Sequence, residues 1–313
     1  GGFAKKQYHL ETQDEQGGGK DVSILGFAPE SAWVLQGMYS VKSLLRNVLP
    51  YGWSNDLGRW AAHTRFIELF LNADDSDVTL SDYVGVYVFM EKIKVGPNRV
   101  DIAALGPSDR TEPGIAGGYI FAKDKLDTDD QTFSTGRGLT LIFKDPKGPE
   151  LTQAQKDWIR NYLNAFEAAL YGTSFADPVN GYAKFIDVGS FIDNHIIVEL
   201  SKNIDGFRLS TYYHKDRHGK LVMGPVWDYD LSLGNANYND GWNATGWYNR
   251  LLGDGDYPYW RRLFEDPVFK LRYADRWFGL RRNLFTTNRL LGIVEDYATL
   301  LDEPAARNYV RWP

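Results

Sequence analysis

Residues 203–235, NIDGFRLSTYYHKDRHGKLVMGPVWDYDLSLGN, constrain the fold of this chain more than any other segment. Two runs within it, Thr211–Lys215 and Lys220–Val226, are rich in the aromatic and β-branched residues that favour strands. Residues 216–219, DRHG, separate the runs and are typical of a turn, because the glycine can take a positive φ. The segment therefore predicts an antiparallel hairpin with acidic residues at its open end.

Three carboxylates are expected at that open end. Pairing across the turn folds Asp205 back to the level of Asp228 and Asp230, and opposed residues in such a pair lie roughly 5 Å apart. Asp228 and Asp230 are two residues apart on an extended segment, so they share one face, while Trp227 and Tyr229 face apolar packing. Grouped carboxylates repel one another unless a cation or a shared proton relieves them. Because hard oxygen ligands suit Mg²⁺, the pattern predicts a magnesium and nucleotide site.

Composition excludes several other classes of protein. The 313 residues are 43% hydrophobic, which is enough for one large domain or two lobes. A net charge of −6 gives no basic footprint for nucleic acid. The chain has no cysteine, which rules out disulfides, zinc–thiolate sites and cysteine nucleophiles. No apolar run approaches the roughly 20 residues of a membrane span, so no membrane span is expected.

The order of predicted elements indicates an α+β fold. Residues 1–150 read mainly as strands and turns, with one helix from Lys42 to Leu49 that extends towards Trp60. Residues 151–313 read mainly as helices around the hairpin, and Thr152 with Gln155 forms a capping box for the first of them. The predicted strands are Phe66–Leu71, Tyr83–Glu91, Gly118–Phe121 and Leu139–Phe143. The predicted helices of the second half cover residues 151–171, 190–202, 257–282 and 288–302.

Several sequence blocks carry a family resemblance, in the order in which they occur. Together with the hairpin segment, the blocks WVLQGMYSVKSLLRNVL, FIELFLN, DYVGVYVFMEKIKVGPNRVDI and YPYWRRLFEDPVFKLRYADRW resemble the spore-coat CotH kinase family of secreted atypical protein kinases. The resemblance spans roughly residues 25–280. It implies a kinase-like fold in which a β-rich N-terminal lobe, residues 1–150, packs on a mainly helical C-terminal lobe, residues 151–313.

The resemblance also implies catalytic and metal-binding roles. In kinases one Asp orients or accepts the proton of the attacking hydroxyl, and the resemblance gives this role to Asp205. Asp228 corresponds to the metal-binding Asp, with Asp230 as a second ligand or support. Without a ligand the same residues would be a turn-forming Asp before a glycine and solvated acids at a strand end. Kinases hold a second metal with an Asn five residues after the catalytic Asp, where this chain has Ser210, so Asn203 or Asn235 is the alternative.

Phosphate binding requires a fixed cation, which kinases provide by pairing a strand Lys with a helix Glu. Lys144 ends an apolar strand and Glu167 lies at the edge of the apolar stripe of the next helix, so their order fits such a pair. The rival phosphate ligands are Lys123, Lys92 and Arg46. The alternative for Lys144 and Glu167 is an exposed Lys near a Pro turn and a solvated Glu on the helix. For Arg46 a structural salt bridge explains the residue at least as well.

The leading hypothesis is an exported protein kinase that uses ATP with Mg²⁺ or Mn²⁺ to phosphorylate Ser or Thr of a surface protein, with Ser-rich segments as acceptors. The chain opens GGFAKK without a signal peptide, and we expect it to be one unit of a longer secreted or cell-surface protein. The alternative is a catalytically silent surface adhesin, or a carbohydrate- or protein-binding module. The aromatic segment Asn235–Asn249 motivates that alternative. Glycoside hydrolysis by paired carboxylates is a third reading.

Overall fold

The computed structural model describes residues 2–313, and these residues form an α+β protein with two antiparallel sheets. The chain divides into two compact units. The first contains the residues up to Leu49 together with Ala62–Ile93 and Phe285–Pro313, and the second contains Pro50–Ala61 and Lys94–Leu284. The boundaries of these units differ from the predicted lobe boundary at residue 150. The division into two functional lobes stays a prediction.

The first unit is built on a four-stranded sheet in the order β1-β2-β4-β3. Its core contains Trp33, Tyr87 and Phe89, which are buried on one side of the sheet. The predicted strands around residues 66–71 and 83–91 are confirmed, and the predicted final helix is confirmed and runs on to Arg311. The elements are β1 (Tyr8–Glu11), β2 (Ala32–Gln36), β3 (Thr64–Phe70), β4 (Tyr83–Glu91) and α6 (Thr287–Arg311).

The second unit is built on a five-stranded sheet in the order β6-β7-β5-β8-β9, with five helices. The strands are β5 (Tyr119–Lys123), β6 (Thr132–Ser134), β7 (Thr140–Asp145), β8 (Thr211–Lys215) and β9 (Leu221–Met223). The helices are α1 (Val48–Asp56, of which residues from 50 onward belong to this unit), α2 (Gln153–Tyr171), α3 (Val188–Ser201), α4 (Trp260–Leu263) and α5 (Pro267–Arg282).

The predicted hairpin is confirmed by the pairing of β8 with β9. Tyr213 lies opposite Met223 and Lys215 lies opposite Leu221 in an antiparallel register. The second strand ends at Met223, which is three residues earlier than predicted. From Gly224 to Tyr229 the chain belongs to no strand, and Gly224 and Asp228 both have a positive φ, so the extended segment expected through Asp228 is not formed.

Helix α2 is confirmed with its predicted cap. The Thr152 hydroxyl accepts a hydrogen bond from the Gln155 backbone amide, and the side-chain oxygen of Gln155 accepts one from the Thr152 backbone amide. The buried face of the helix carries Ile159, Leu163 and Phe166, and it also buries the carboxylate of Glu167. A buried carboxylate within an apolar stripe needs several hydrogen-bond donors.

Two helix predictions are wrong in detail, for local reasons. No helix begins at Lys42: Leu44 has a φ of 61°, which a right-handed helix does not permit, and α1 starts only at Val48. The predicted helix over residues 257–282 is two helices. Asp266 caps the second of them by accepting from the Val268 amide, and Pro267 occupies its first turn.

None of the helices described in residues 2–313 is both long and apolar enough to cross a membrane.

Candidate active site

The site begins at the turn that follows α3. The buried Asn203 amide makes two hydrogen bonds to the backbone: its Oδ1 accepts from the Asp205 amide at 3.2 Å, and its Nδ2 donates to the Asp228 carbonyl at 3.4 Å. One side chain therefore links the segment that carries Asp205 to the segment that carries Asp228. The proposed role of Asn203 at the cofactor, as an alternative ligand for a second metal, stays a prediction.

Asp228 is held in an unusual backbone conformation. Its φ of 58° lies in the left-handed region, which Asp tolerates better than most residues. Its backbone amide donates to the Tyr51 hydroxyl at 3.0 Å, and the Tyr51 ring stacks on Trp227 with ring centroids 5.9 Å apart. Tyr229 is buried and meets Tyr51 edge-on. Strain of this kind concentrates at functional sites, where the surrounding structure compensates for it.

The acidic side chains perturb one another strongly. Burial raises the pKa of Asp228 well above its ordinary value, and the carboxyl of Asp230 adds to the effect through its charge and a hydrogen bond. Burial also raises the pKa of Asp205, with a smaller contribution in the same direction from Asp230. Arg208 opposes that shift because its positive charge favours the ionised form of Asp205. The structure therefore brings together the three carboxylates that the hairpin predicts.

A fourth carboxylate, Asp124, belongs to the same group and was missed by sequence analysis. It follows β5 directly, and the register of β5 on β8 places Lys123 opposite Thr211. Asp124 therefore lies beside Ser210, whose hydroxyl donates to Asp124 Oδ1 at 3.4 Å, and its charge raises the pKa of Asp228. The one available signal was an acid placed immediately after an apolar strand. We call Asp124, Asp205, Asp228 and Asp230 the carboxylate cluster.

Asn235 also contacts the cluster through the backbone. Its Nδ2 donates to the Asp230 carbonyl at 2.7 Å, which fixes the turn after the acidic pair. Within residues 2–313, no group of three or more His, Cys, Asp or Glu side chains is arranged to hold a metal ion. The predicted metal-binding roles of Asp228, Asp230 and Asn235 accordingly stay predictions.

The predicted pairing of Lys144 with Glu167 is wrong. Lys144 Nζ lies 3.6 Å from Asp130 Oδ2. Glu167 Oε1 accepts from the hydroxyls of Thr135 at 2.7 Å and Tyr259 at 2.9 Å, and its Oε2 accepts from a backbone amide at 3.3 Å. Three donors satisfy the buried carboxylate, so it needs no cation.

The three rival cations have different surroundings. Lys123 Nζ donates to the Gly255 carbonyl at 2.8 Å, and burial lowers its pKa to about 8. Arg46 belongs to the first unit, where its Nη1 donates to the Ser43 hydroxyl at 2.9 Å and burial lowers its pKa. Lys92 is exposed. Lys123 is therefore the rival that borders the carboxylate cluster, next to Asp124 in the chain.

A large cavity of about 560 Å³ opens beside the cluster in the second unit. Asp124 belongs both to the cavity lining and to the cluster, and Arg208, which also lines the cavity, acts on Asp205. The remaining lining combines charged and apolar groups, among them Lys123, Arg137, Leu139, Ile142, Glu167 and Tyr259.

A small cavity of about 180 Å³ is lined in part by residues of the β8–β9 hairpin. His214 lines it and shares a strand face with Tyr212, whose pKa is raised by burial and by the charges of Asp124 and Asp228. Val226, two residues before Asp228, also lines it. The other lining groups are mixed: Trp60, Val100, Ile197, Val222, Met223 and Pro225 are apolar or aromatic, and Ser54, Arg59, Asp101, Ser190, Asp193 and Asn194 are polar or charged. Two cavities therefore lie close to the cluster.

An α+β unit with partly buried carboxylates close to two cavities has the features of an enzyme site. The family model described as CotH kinase protein matches residues 2–313, essentially the whole chain. The chain therefore belongs to the CotH kinase family, a kinase-like family associated with the spore coat. A comparison with curated proteins finds no match.

Proposed function

We propose that this chain is an atypical protein kinase that transfers the γ-phosphoryl group of ATP to a Ser or Thr of an exported or surface protein. The observation that carries the proposal is the carboxylate cluster, in which Asn203 ties Asp205 to Asp228 within a CotH-family chain. Kinase chemistry needs these two roles side by side, one acid for the acceptor hydroxyl and one for the metal–phosphate group. The kinase-like arrangement of two lobes is part of the same proposal.

The small cavity is the proposed site of the nucleotide base. Its lining combines apolar side chains with a few polar groups, and a cavity of 180 Å³ is of the size that accepts a flat ring system. Trp60 Nε1 and Asn194 Oδ1 are buried without a hydrogen-bond partner among the described residues. A purine base carries both an acceptor ring nitrogen and a donor amino group, and a modest adjustment of the two side chains would pair them with it.

Asp228 and Asp230 are the proposed ligands of Mg²⁺ or Mn²⁺. Their carboxyls are close enough to share a hydrogen bond, which fits either a shared proton or a bound cation. Mg²⁺ is commonly held by one or two carboxylates, with substrate phosphates and water as the other ligands, so two carboxylates suffice. When bound, the ion neutralises charge on the phosphates.

Asp205 is the proposed acceptor of the hydroxyl proton. The acceptor oxygen forms a bond to the γ-phosphorus, the bond from that phosphorus to the β-phosphate oxygen breaks, and the hydroxyl proton passes to the Asp205 carboxylate. The raised pKa of Asp205 makes its carboxylate a better base than an ordinary Asp. Arg208 and Lys123 are the nearby cations that would face the phosphate charge.

Phosphoryl transfer with labelled ATP tests the proposal. We expect the wild-type chain with Mg²⁺ to label itself or a Ser-rich acceptor, and Asp205→Asn to lose about 10²-fold or more of the rate, the usual contribution of a general base. Asp129→Asn is the matched control, because Asp129 is exposed and outside the cluster. Equal rates in wild type and Asp205→Asn, or no transfer to any acceptor by a folded chain, would contradict the proposal.

A further inference from the structure

The turn between β6 and β7, residues 135–139, is held by several hydrogen bonds and has no role in the proposed reaction. The Thr135 amide donates to the Leu139 carbonyl at 3.0 Å, and the Leu139 amide donates to the Thr135 hydroxyl at 3.2 Å. Gly138 has a φ of 87°, which permits the tight reversal. The turn is therefore closed on itself before any ligand binds.

Side chains of helix α2 hold this turn in place through hydrogen bonds. The buried Glu167 carboxylate accepts from the Thr135 hydroxyl at 2.7 Å and from the Arg137 amide at 3.3 Å, and Asn164 Oδ1 accepts from the Gly136 amide at 2.7 Å. This explains why a carboxylate is buried in the apolar stripe of α2. Its effect is to fix the position from which the Arg137 side chain leaves the backbone.

Arg137 presents an unpaired cation to the large cavity. Its guanidinium carbon lies 3.7 Å from the centroid of the Tyr171 ring, and within residues 2–313 no carboxylate lies within ion-pair distance of it. The other cations that line the cavity do have an acid nearby, since Lys123 and Arg208 both lie within 4.0 Å of Asp256. Stacking on the ring leaves the edge of the guanidinium, with its N–H donors, available to an oxyanion.

Arg137 lines the cavity in which we expect the substrate residues around the phosphorylated Ser or Thr to bind. The large cavity contains both Arg137 and Asp124, and Asp124 belongs to the cluster that holds Asp205. An acceptor whose hydroxyl reaches Asp205 would place its neighbouring residues in this cavity. The acid Asp254 at the cavity edge is neutralised by Arg261, with 2.6 Å between Nε and Oδ1, and does not cancel the charge of Arg137.

We infer that Arg137 selects acceptors that carry an oxyanion close to the phosphorylated Ser or Thr. The oxyanion is either the carboxylate of Asp or Glu or a phosphate that was added earlier, because a guanidinium binds both in a two-pronged geometry. This inference rests on the proposed function and adds a substrate class to it.

Kinetics on Ser-centred peptides test the inference. A library with neutral flanking residues carries Glu, phosphoserine or Gln at one position at a time, and kcat/KM is measured for the full chain. We expect wild type to prefer Glu or phosphoserine over Gln by about tenfold or more at one position. The comparison of Glu with phosphoserine distinguishes the two sources of the oxyanion.

Variants separate recognition from catalysis. Arg137→Ala should lose the preference while KM for ATP is unchanged, and Arg137→Lys should retain only part of it. Arg160→Ala is the control, because Arg160 is a partly exposed cation on the same helix as Glu167 and pairs with Asp157. A preference that survives Arg137→Ala, an absent preference in wild type, or a raised KM for ATP in the variant would overturn the inference.

A failure of the proposed function is distinguishable from a failure of this inference. If no peptide is phosphorylated, fluorescence anisotropy of the labelled peptides with the unreactive full chain still measures recognition. Tighter binding of the Glu or phosphoserine peptide to wild type than to Arg137→Ala would support the inference. Equal binding of all three peptides would overturn it.

Discussion

Asp228 combines a left-handed backbone, a partly buried carboxylate and an acidic neighbour, three features that are each unfavourable alone. Tyr51 and Asn203 compensate by satisfying its amide and its carbonyl. The ionised side chain of Asp228 stays uncompensated, because burial and the neighbouring Asp230 both disfavour its negative charge. A residue held in this state by its neighbours is a natural site for a bound cation.

The raised pKa of Asp228 predicts how stability depends on pH. Above the ordinary Asp value the unfolded chain has already released this proton while the metal-free folded chain retains it, so the free energy of unfolding falls as pH rises through that interval. Asp228→Asn should abolish this loss and stabilise the metal-free protein at pH 7.5 by about 1–3 kcal/mol. Urea unfolding in EDTA at several pH values measures the difference.

The same experiment in Mg²⁺ provides the control. Bound cation should restore the stability of wild type and leave Asp228→Asn unaffected. Asp129→Asn should follow wild type under both conditions. Parallel pH profiles for wild type and Asp228→Asn would show that burial of Asp228 carries no energetic penalty.

Single strands, turns and helices are predictable from this sequence, whereas the distant segments with which they pair or pack are not. The hairpin and α2 carry their signals within a few residues, as turn chemistry in one case and a capping box in the other. Asp124 was missed because β5 meets β8 about 90 residues further along the chain, and no local pattern records that register. The Lys144–Glu167 pairing failed for a related reason, since Glu167 binds a turn that lies 30 residues before it.

The loop 235–249 buries Tyr248 but leaves the side chains of both its tryptophans largely exposed. Trp242 is 61% exposed and Trp247 is 45% exposed. Lys202 holds the loop by donating to the carbonyls of Asn243 at 2.6 Å and Thr245 at 3.0 Å. Exposed rings on an anchored loop are the feature that supports the alternative function, a carbohydrate- or protein-binding module.

Binding measurements separate this alternative from the kinase. If the chain is a binding module, Trp242→Ala should reduce capture on a glycan array or by a surface partner about tenfold, while Asp228→Ala should leave capture unchanged. Loss of capture in Asp228→Ala alone would place recognition at the carboxylate cluster instead. No capture by wild type on either surface would remove the module from consideration.

At the scale of the whole molecule, the family match and the site support each other. The CotH match covers residues 2–313, and the residues that the resemblance singles out, Asp205, Asp228 and Asp230, meet in one cluster of the second unit. Export to the cell surface is part of the proposal, and it would supply the surface proteins that the kinase phosphorylates. The α+β class was predictable from element order, whereas the division into units depends on non-local contacts such as that between α6 and β4.

Calorimetric titration of ATP into the full chain tests the central claim, that the carboxylate cluster holds a metal–nucleotide complex. We expect binding in Mg²⁺ that weakens by about tenfold or more in EDTA, and likewise in Asp228→Ala, with Asp129→Ala unchanged. Binding that is equal with and without the metal, or absent in the folded wild-type chain, would contradict the account.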